Sequence, residues 1–173
     1  QMLKDAQTQL KKMLEGPYKS LGEPKTEPMN TEPVRVHLKE EYKHRVIHVP
    51  RRQFSPAEDE IIDKHINEML KQKMVEPSRS GWNFPVFTVP KGDTGKRRVV
   101  FDLRKINEAT VPIDFPVPHV RQLLDRLAGK SWYSSIDLKD GFYQQEIHEE
   151  DRHLFAFSTR NRKFQMTRLP MGW

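Results

Sequence analysis

Pro85-Val86-Phe87-Thr88-Val89 and Arg98-Val99-Val100-Phe101-Asp102 are rich in β-branched and aromatic residues, and only a short stretch centred on Lys91-Gly92-Asp93-Thr94-Gly95-Lys96 separates them. A connection that short joins antiparallel strands, because a parallel crossover needs roughly a dozen residues or more. Its glycines and aspartate suit a tight turn, so the stretch is a β-hairpin. The hairpin is also cationic. From Lys91 to Lys105 the chain carries Lys91, Lys96, Arg97, Arg98, Arg104 and Lys105 against Asp93 and Asp102, and most of its formal +6 therefore sits here.

Helical signals flank this hairpin. Ser55-Pro56-Ala57-Glu58 reads as a capping box with proline at the first helical position. The spacing of Ile62, Ile66, Met69 and Leu70 predicts a helix that ends near Met74, before the Glu76-Pro77-Ser78 break. Its acidic start, Glu58-Asp59-Glu60, suits the helix dipole. Val120, Leu123, Leu124 and Leu127 predict a second, core-facing helix over 118–128, with Gly129 as its cap. A thinner stripe of Leu3, Leu10, Met13 and Leu14 predicts a short helix over 3–15, stopped by Gly16-Pro17. Gly22–Pro33 holds three Glu-Pro pairs and no periodicity, and reads as a linker or wrapping arm. Trp132–Ile136 reads as a strand running into Asp137. Leu154–Phe157 and Lys163–Met166 read as a second hairpin around Ser158–Arg162. Helices packed with antiparallel hairpins make the fold class α+β.

Composition narrows the function. A chain of 173 residues supports one core at most, and 35% hydrophobic against 31% charged residues makes it polar for its size. The 13 prolines favour partial wandering, yet 9 Phe, 4 Tyr and 3 Trp are too many for full disorder. With no cysteine there is no disulfide framework, thiolate zinc site or cysteine nucleophile, which fits an intracellular setting. No apolar run approaches the ~20 residues of a membrane span, so no membrane partner is expected. The start, Gln1-Met2-Leu3, is neither a signal peptide nor an initiator methionine, so the chain reads as a piece of something longer. A pI near 9.5 favours a polyanionic partner.

Two places could carry chemistry. The cationic hairpin tip has the form of a loop that closes over a phosphate chain, although a solvated turn would look the same. Asp137 ends an apolar run and is followed by Asp140-Gly141-Phe142, which puts a hard carboxylate beside backbone that can approach a ligand. A simple turn cap at Asp137 is the alternative.

Read in order, SGWNFPVFTVPKGDTGKRRVVFDLRKIN (80–107), WYSSIDLKDGFYQQEI (132–147), DRHLFAFST (151–159) and FQMTRLPMGW (164–173) resemble reverse transcriptases, specifically those of gypsy-type LTR retrotransposons and retroviruses. The stretch 46–78 is similar to the entry to the fingers in gypsy-type polyproteins. The resemblance implies a right-hand polymerase: an N-terminal arm and linker over 1–54, fingers over 55–130, a palm strand over 131–147, and the fingers' return hairpin with the start of the next palm motif over 148–173.

The same resemblance implies roles. Asp137 matches the first catalytic aspartate and Leu138 offers a backbone carbonyl, both to Mg2+ (or Mn2+) in two-metal phosphoryl transfer. Asp140 and Gly141 face the incoming triphosphate by their amides, and Phe142 falls on the steric gate that favours deoxynucleotides. Lys91 and Arg98 match the fingers residues that hold the triphosphate. Phe87 and Arg104 fall to template contacts. Met171 and Gly172 lie beneath the nucleotide's sugar and base, where methionine departs from the glutamine or phenylalanine of relatives.

The implied function is template-directed addition of deoxynucleotides, with an RNA or DNA template and primer, deoxynucleoside triphosphates, and the remaining palm, thumb and RNase H portions of a parent polyprotein as partners. The chain stops before the family's Tyr-x-Asp-Asp turn, so the resemblance implies little or no polymerase activity from this piece alone. The rival reading is a non-catalytic retroelement remnant that binds nucleic acid or a protein partner. An intracellular location, in cytoplasm, particles or nucleus, goes with either.

Overall fold

Ser55 sets the start of a well-formed helix. In the computed structural model its hydroxyl accepts the Glu58 backbone N–H, and the Glu58 carboxylate accepts the Ser55 N–H. This capping box satisfies N–H groups that the first helical turn leaves without partners. The structure describes residues 2–16, 27–92, 95–113, 116–135, 137–138 and 140–173. Gly22–Thr26 of the expected linker, Asp93 and Thr94 of the hairpin tip, and Ile136 of the expected strand lie outside the described residues. So do the side chains of Leu3 and Leu14 in the first stripe.

Helix α1 spans Met2–Glu15 and α2 spans Pro56–Lys71. The second helix stops ahead of the expected Met74. Gln72 caps it, and Lys73 turns the chain with a φ of +56°. Ile62, Ile66 and Met69 are buried on its inner face, as their spacing requires. Helix α3 covers Arg104–Ala109 and α4 covers Val120–Leu127.

Strands β2 (Val86–Pro90) and β3 (Arg97–Phe101) form the expected antiparallel hairpin, pairing Val86 with Phe101 through to Pro90 with Arg97. Strands β4 (Ala156–Ser158) and β5 (Lys163–Met166) form the second. A further strand, β1 (Val75–Pro77), pairs antiparallel with β5 and makes a three-stranded sheet in the order β1-β5-β4. The sequence reading took this segment for a break. Pro77 is tolerated because β1 lies at the sheet edge, where a missing N–H costs no interior ladder bond.

Phe157 joins the two β units. Its ring packs edge-on to Phe101 at 5.0 Å between centroids and lies 6.0 Å from Phe164. Phe84, Phe155 and Phe157 are each about 1% exposed, among Ile62, Ile66, Ile106, Ile147 and Met166. Removing such a ring from a packed core costs ~3–5 kcal/mol.

The segment 27–50 has little regular structure yet is laced to this body. Val34 N–H donates to the Glu146 carbonyl at 2.8 Å, and His148 N–H donates to the Val34 carbonyl at 2.9 Å. Lys39 N–H donates to the Ala109 carbonyl at 2.9 Å. Val36 enters the core, and its N–H donates to the buried Asp151 carboxylate at 2.9 Å, which also receives Arg35 Nε at 2.9 Å. Within the described part of the Glu-Pro run, Met29 N–H donates to the Gln144 carbonyl at 2.7 Å and Gln145 Nε2 to the Glu32 carbonyl at 3.0 Å.

Two expectations are corrected. Helix α4 forms and Gly129 (φ +73°) follows its cap, but its apolar stripe does not face the core. Val120 is 72% and Leu124 60% exposed, and Leu123 and Leu127 are exposed as well. Periodicity specifies which face is apolar; burial needs a surface against it, and no described element supplies one. Residues 132–135 are not a strand. No described segment pairs with them, and a strand without a neighbour leaves its ladder groups unsatisfied.

Candidate nucleic-acid and nucleotide interface

The hairpin register sorts its side chains. Cross-strand partners share a face, so Phe87 with Val100 and Val89 with Arg98 lie on one side, and Val86, Thr88, Phe101 and Arg97 on the other. The second side packs inward: Val86, Thr88 and Phe101 are buried. Arg97 fastens that side to α2, donating to Glu58 Oε1 at 2.9 Å, Thr88 Oγ1 at 2.7 Å and the Thr88 carbonyl at 3.0 Å. The Ser55 bonds hold the Glu58 carboxyl below its usual range, with smaller contributions from Thr88 and Arg97. The Arg98 side chain is exposed on the outer face and makes no hydrogen bond or ion pair with a described residue.

At the tip, Lys91 N–H donates to the Lys96 carbonyl at 2.8 Å, closing the turn. Gly92 and Gly95 have φ of +54° and +66°, the left-handed region where a side chain is strained. The tip expected to close over phosphates thus carries Lys91 and Lys96 on its two arms, joined by that bond.

Phe87 and Arg104, both expected at the template, are linked by two residues the sequence reading did not single out. The Arg52 guanidinium stands 5.1 Å from the Phe87 ring centre. It also lies 3.9 Å from the Asp102 carboxylate. Asp102 receives Arg104 through a fork, Nε to Oδ1 at 2.8 Å and a terminal nitrogen to Oδ2 at 2.6 Å. That fork pulls the Asp102 carboxyl below its usual range and raises the Arg104 guanidinium, so both stay charged. Asp102 is largely covered while Arg104 is open to solvent. A signal for Arg52 existed in the Arg51-Arg52 pair just before the capping box, but an arginine pair alone specifies no partner.

The palm segment is open. Asp137 and Leu138 are exposed, and Phe142 is 52% exposed. Asp140 takes a φ of +51° and leads into a single 3-10 turn at Gly141–Gln144. A Cβ on Gly141 would stand 3.5 Å from Leu138 Cβ, so the two residues approach closely. Tyr143 packs at the core edge, and burial raises its hydroxyl pKa, with Asp140 adding to the effect.

Met171 is exposed, and Gly172 turns with a φ of +99°. Asn107 Nδ2 donates to the Gly172 carbonyl at 2.7 Å, tying this loop to α3 and so to the element that begins at Arg104. The structure thus collects Phe87, Arg98 and Arg104 around the hairpin and holds Met171-Gly172 beside α3.

For a divalent metal the donor chemistry is suitable but sparse. Asp137 offers one hard carboxylate and Leu138 a carbonyl, and magnesium accepts such oxygen donors while keeping waters. Among the described residues, however, no group of three or more acidic, histidine or cysteine side chains could hold a metal ion. These residues do not by themselves make a closed metal site.

Residues 89–173 match the family described as reverse transcriptase (RNA-dependent DNA polymerase). The Pol polyprotein of transposon 412 from Drosophila melanogaster is 39% identical over 118 residues, covering 65% of this chain and 10% of that protein. The corresponding protein of transposon gypsy, also from Drosophila melanogaster, is 33% identical over 118 residues, 65% of this chain and 11% of that one. The Gag-Pol polyprotein of feline leukemia virus is 38% identical over 119 residues, 65% of this chain and 7% of that one. The chain thus spans about a tenth of the curated relatives it matches. Among solved structures, native prototype foamy virus protease-reverse transcriptase superposes with a TM-score of 0.81 at 26% identity, over 98% of this chain and 23% of that one. The foamy viral protease-reverse transcriptase in complex with an RNA/DNA hybrid gives 0.79 at 25% identity, over 96% and 22%. The fold is that of reverse transcriptase fingers and palm, and residues 89–173 belong to the reverse transcriptase family, with the Pol polyproteins of gypsy-type retrotransposons and retroviruses.

Proposed function

We propose that this chain is the fingers and first palm portion of an RNA-directed DNA polymerase, the part that meets template and incoming deoxynucleoside triphosphate. The observation that carries it is the outer hairpin face, where Phe87 and Arg98 share a side and Arg52, over the Phe87 ring, lies beside the Asp102 carboxylate that holds Arg104. An aromatic ring among guanidiniums suits stacked bases and phosphates. The foamy virus relative bound to an RNA/DNA hybrid supports such a partner.

In this reading Arg98 and Lys91 grip the triphosphate, one as a planar fork and the other as a compact charge. The amides of Asp140 and Gly141 and the ring of Phe142 position its phosphates and sugar, while Met171 and Gly172 lie beneath. The template runs past Phe87 and Arg104. The family generally uses divalent metals. Asp137 and the Leu138 carbonyl would supply two oxygens to Mg2+ or Mn2+, whose chemistry is to activate the attacking hydroxyl and stabilise the leaving pyrophosphate. The remaining palm, a thumb and an RNase H unit of a polyprotein would complete the enzyme, in an intracellular setting. No helix among the described residues is long and apolar enough to cross a membrane.

The test has two parts. The chain should bind an RNA/DNA hybrid with an affinity that falls steadily as salt rises, since phosphate contacts release counterions. In the polymerase that contains this chain, Asp137→Asn should abolish nucleotide incorporation while leaving circular dichroism and melting unchanged, because Asp137 is exposed. Salt-independent binding, or an active Asp137→Asn enzyme, defeats the assignment.

A further inference from the structure

Residues 144–148 are hydrogen-bonded along both edges. On one edge, Leu169 N–H donates to the Gln145 carbonyl at 2.9 Å and Ile147 N–H donates to the Thr167 carbonyl at 2.9 Å. On the other, Met29 N–H donates to the Gln144 carbonyl at 2.7 Å, Val34 N–H to the Glu146 carbonyl at 2.8 Å, and His148 N–H to the Val34 carbonyl at 2.9 Å. The odd residues thus bond 167–169 and the even ones bond 29–34, the alternation of a strand with a neighbour on each side. Val34 pairs parallel with Ile147, and Glu146 pairs antiparallel with Arg168.

Two turns leave from this ladder. The Gly141–Gln144 turn runs straight into it, and Gln145 N–H donates back to the Phe142 carbonyl at 3.2 Å. Leu169 stands two residues before Met171. One side chain crosses to the N-terminal segment: Gln145 Nε2 donates to Thr31 Oγ1 at 2.9 Å and to the Glu32 carbonyl at 3.0 Å. Both N–H groups of its amide are therefore engaged. Asp151 pins the far end of the same segment, receiving Val36 N–H and Arg35 Nε. Segment 29–36 is thereby fixed in register against the chain that carries Phe142.

We propose that segment 29–36 is a positioning element for the incoming nucleotide, with Gln145 as the positioning residue that ties its register to Phe142 on one side and Met171 on the other. The proposal rests on the nucleotide reading of those two residues given above. Thr31 and Glu32 are exposed, so truncating Gln145 leaves their oxygens to water and opens no buried polar defect. The fold persists while the register loosens. A bulky ring selects a sugar only if it is held in place, so the loss falls on nucleotide binding and sugar choice.

The experiment uses the polymerase that contains this chain and compares Gln145→Ala, Gln145→Glu and Thr31→Val with Gln165→Ala. Gln165 is the control because its amide donates to Glu76 Oε1 at 2.8 Å across the β1–β5 pair, away from both turns. Single-nucleotide incorporation gives KM and kcat for deoxy- and ribonucleoside triphosphates, and a titration gives RNA/DNA hybrid affinity. Gln145→Ala should raise the deoxynucleotide KM ~3- to 10-fold, the worth of one or two hydrogen bonds. It should also narrow the preference for deoxynucleotides, with kcat and hybrid affinity unchanged. Gln145→Glu should do the same, because a carboxylate cannot donate to the Glu32 carbonyl. Thr31→Val should raise KM less, since the Glu32 bond persists, and should add little to Gln145→Ala. Gln165→Ala should leave KM and sugar choice as in wild type. A matching KM rise in Gln165→Ala, or a fall in kcat alone in step with lost folded enzyme, makes Gln145 merely structural and overturns the proposal. Wild-type incorporation with no Gln145 effect overturns this inference alone, whereas a wild-type enzyme that incorporates no nucleotide overturns the polymerase reading with it.

Discussion

Arg97 and Arg98 are neighbours on β3 with opposite surroundings. Arg97 donates to Glu58 and Thr88 on the inner face, while Arg98 stands exposed opposite Val89 on the outer one. The alternation of a strand thus divides one basic run into a strut and a solvent-facing group.

The pair gives the first prediction. Arg97→Ala should destabilise the chain by about 1 kcal/mol, since its bonds to a carboxylate and a hydroxyl are half-exposed. Arg98→Ala should change stability by less than ~0.5 kcal/mol and instead weaken triphosphate and hybrid binding. Urea unfolding and binding titrations on both variants check the division, which fails if the two behave alike.

The second prediction concerns α4. Leu124 is 60% exposed, so Leu124→Gln should shift the stability of this chain by no more than ~0.5 kcal/mol. Phe157→Ala, at the junction of both β units, should cost ~3–5 kcal/mol. Chemical denaturation of the two variants separates the observed exposure from the core-facing helix that periodicity alone implies.

That contrast marks what could be read in the chain. Ser55 and Glu58 fix a helix start by local bonds, and the Lys91–Lys96 turn fixes a hairpin by its brevity, so both were legible. What depended on a partner was not. The stripe of α4 says nothing of what covers it, Trp132–Ser135 has strand composition without a strand to pair, and β1 exists only because β5 comes to it across the fold. The resemblance assigns Arg98 to the triphosphate and Phe87 and Arg104 to the template through the order of motifs alone. Arg52 and Asp102, which join that set, become visible only when residues distant in the chain are brought side by side.

A third prediction follows from the capping box. The Glu58 carboxyl is held below its ordinary value, about 4.3, chiefly by Ser55. A depressed carboxyl adds stability that is complete above the unfolded value and fades as pH falls through the folded one. Wild type should therefore lose this contribution below about pH 4. Ser55→Ala removes the largest cause, so it should lower the melting temperature at pH 7 and narrow the gap to wild type as the pH approaches 3. A gap that stays constant with pH would show that Glu58 does not titrate against Ser55.

The last prediction turns on Asp102, which holds Arg104 by a fork and lies near Arg52. Asp102→Asn removes the charge that both arginines share while keeping the side chain's size. Arg104 then loses its charge-assisted bonds, and Arg52 loses one of two reasons to stay above Phe87. Net positive charge rises by one, so a purely electrostatic interface would bind nucleic acid more tightly. An interface that depends on placement behaves otherwise: Phe87 and Arg104 are no longer presented together, and hybrid affinity should stay level or fall despite the added charge. A double-mutant cycle resolves the two. Arg104→Ala should weaken binding in wild type by more than it does in Asp102→Asn, because only in wild type is Arg104 held in place. Additive effects would mean that Asp102 merely neutralises its neighbours, and that the outer hairpin face acts by charge alone.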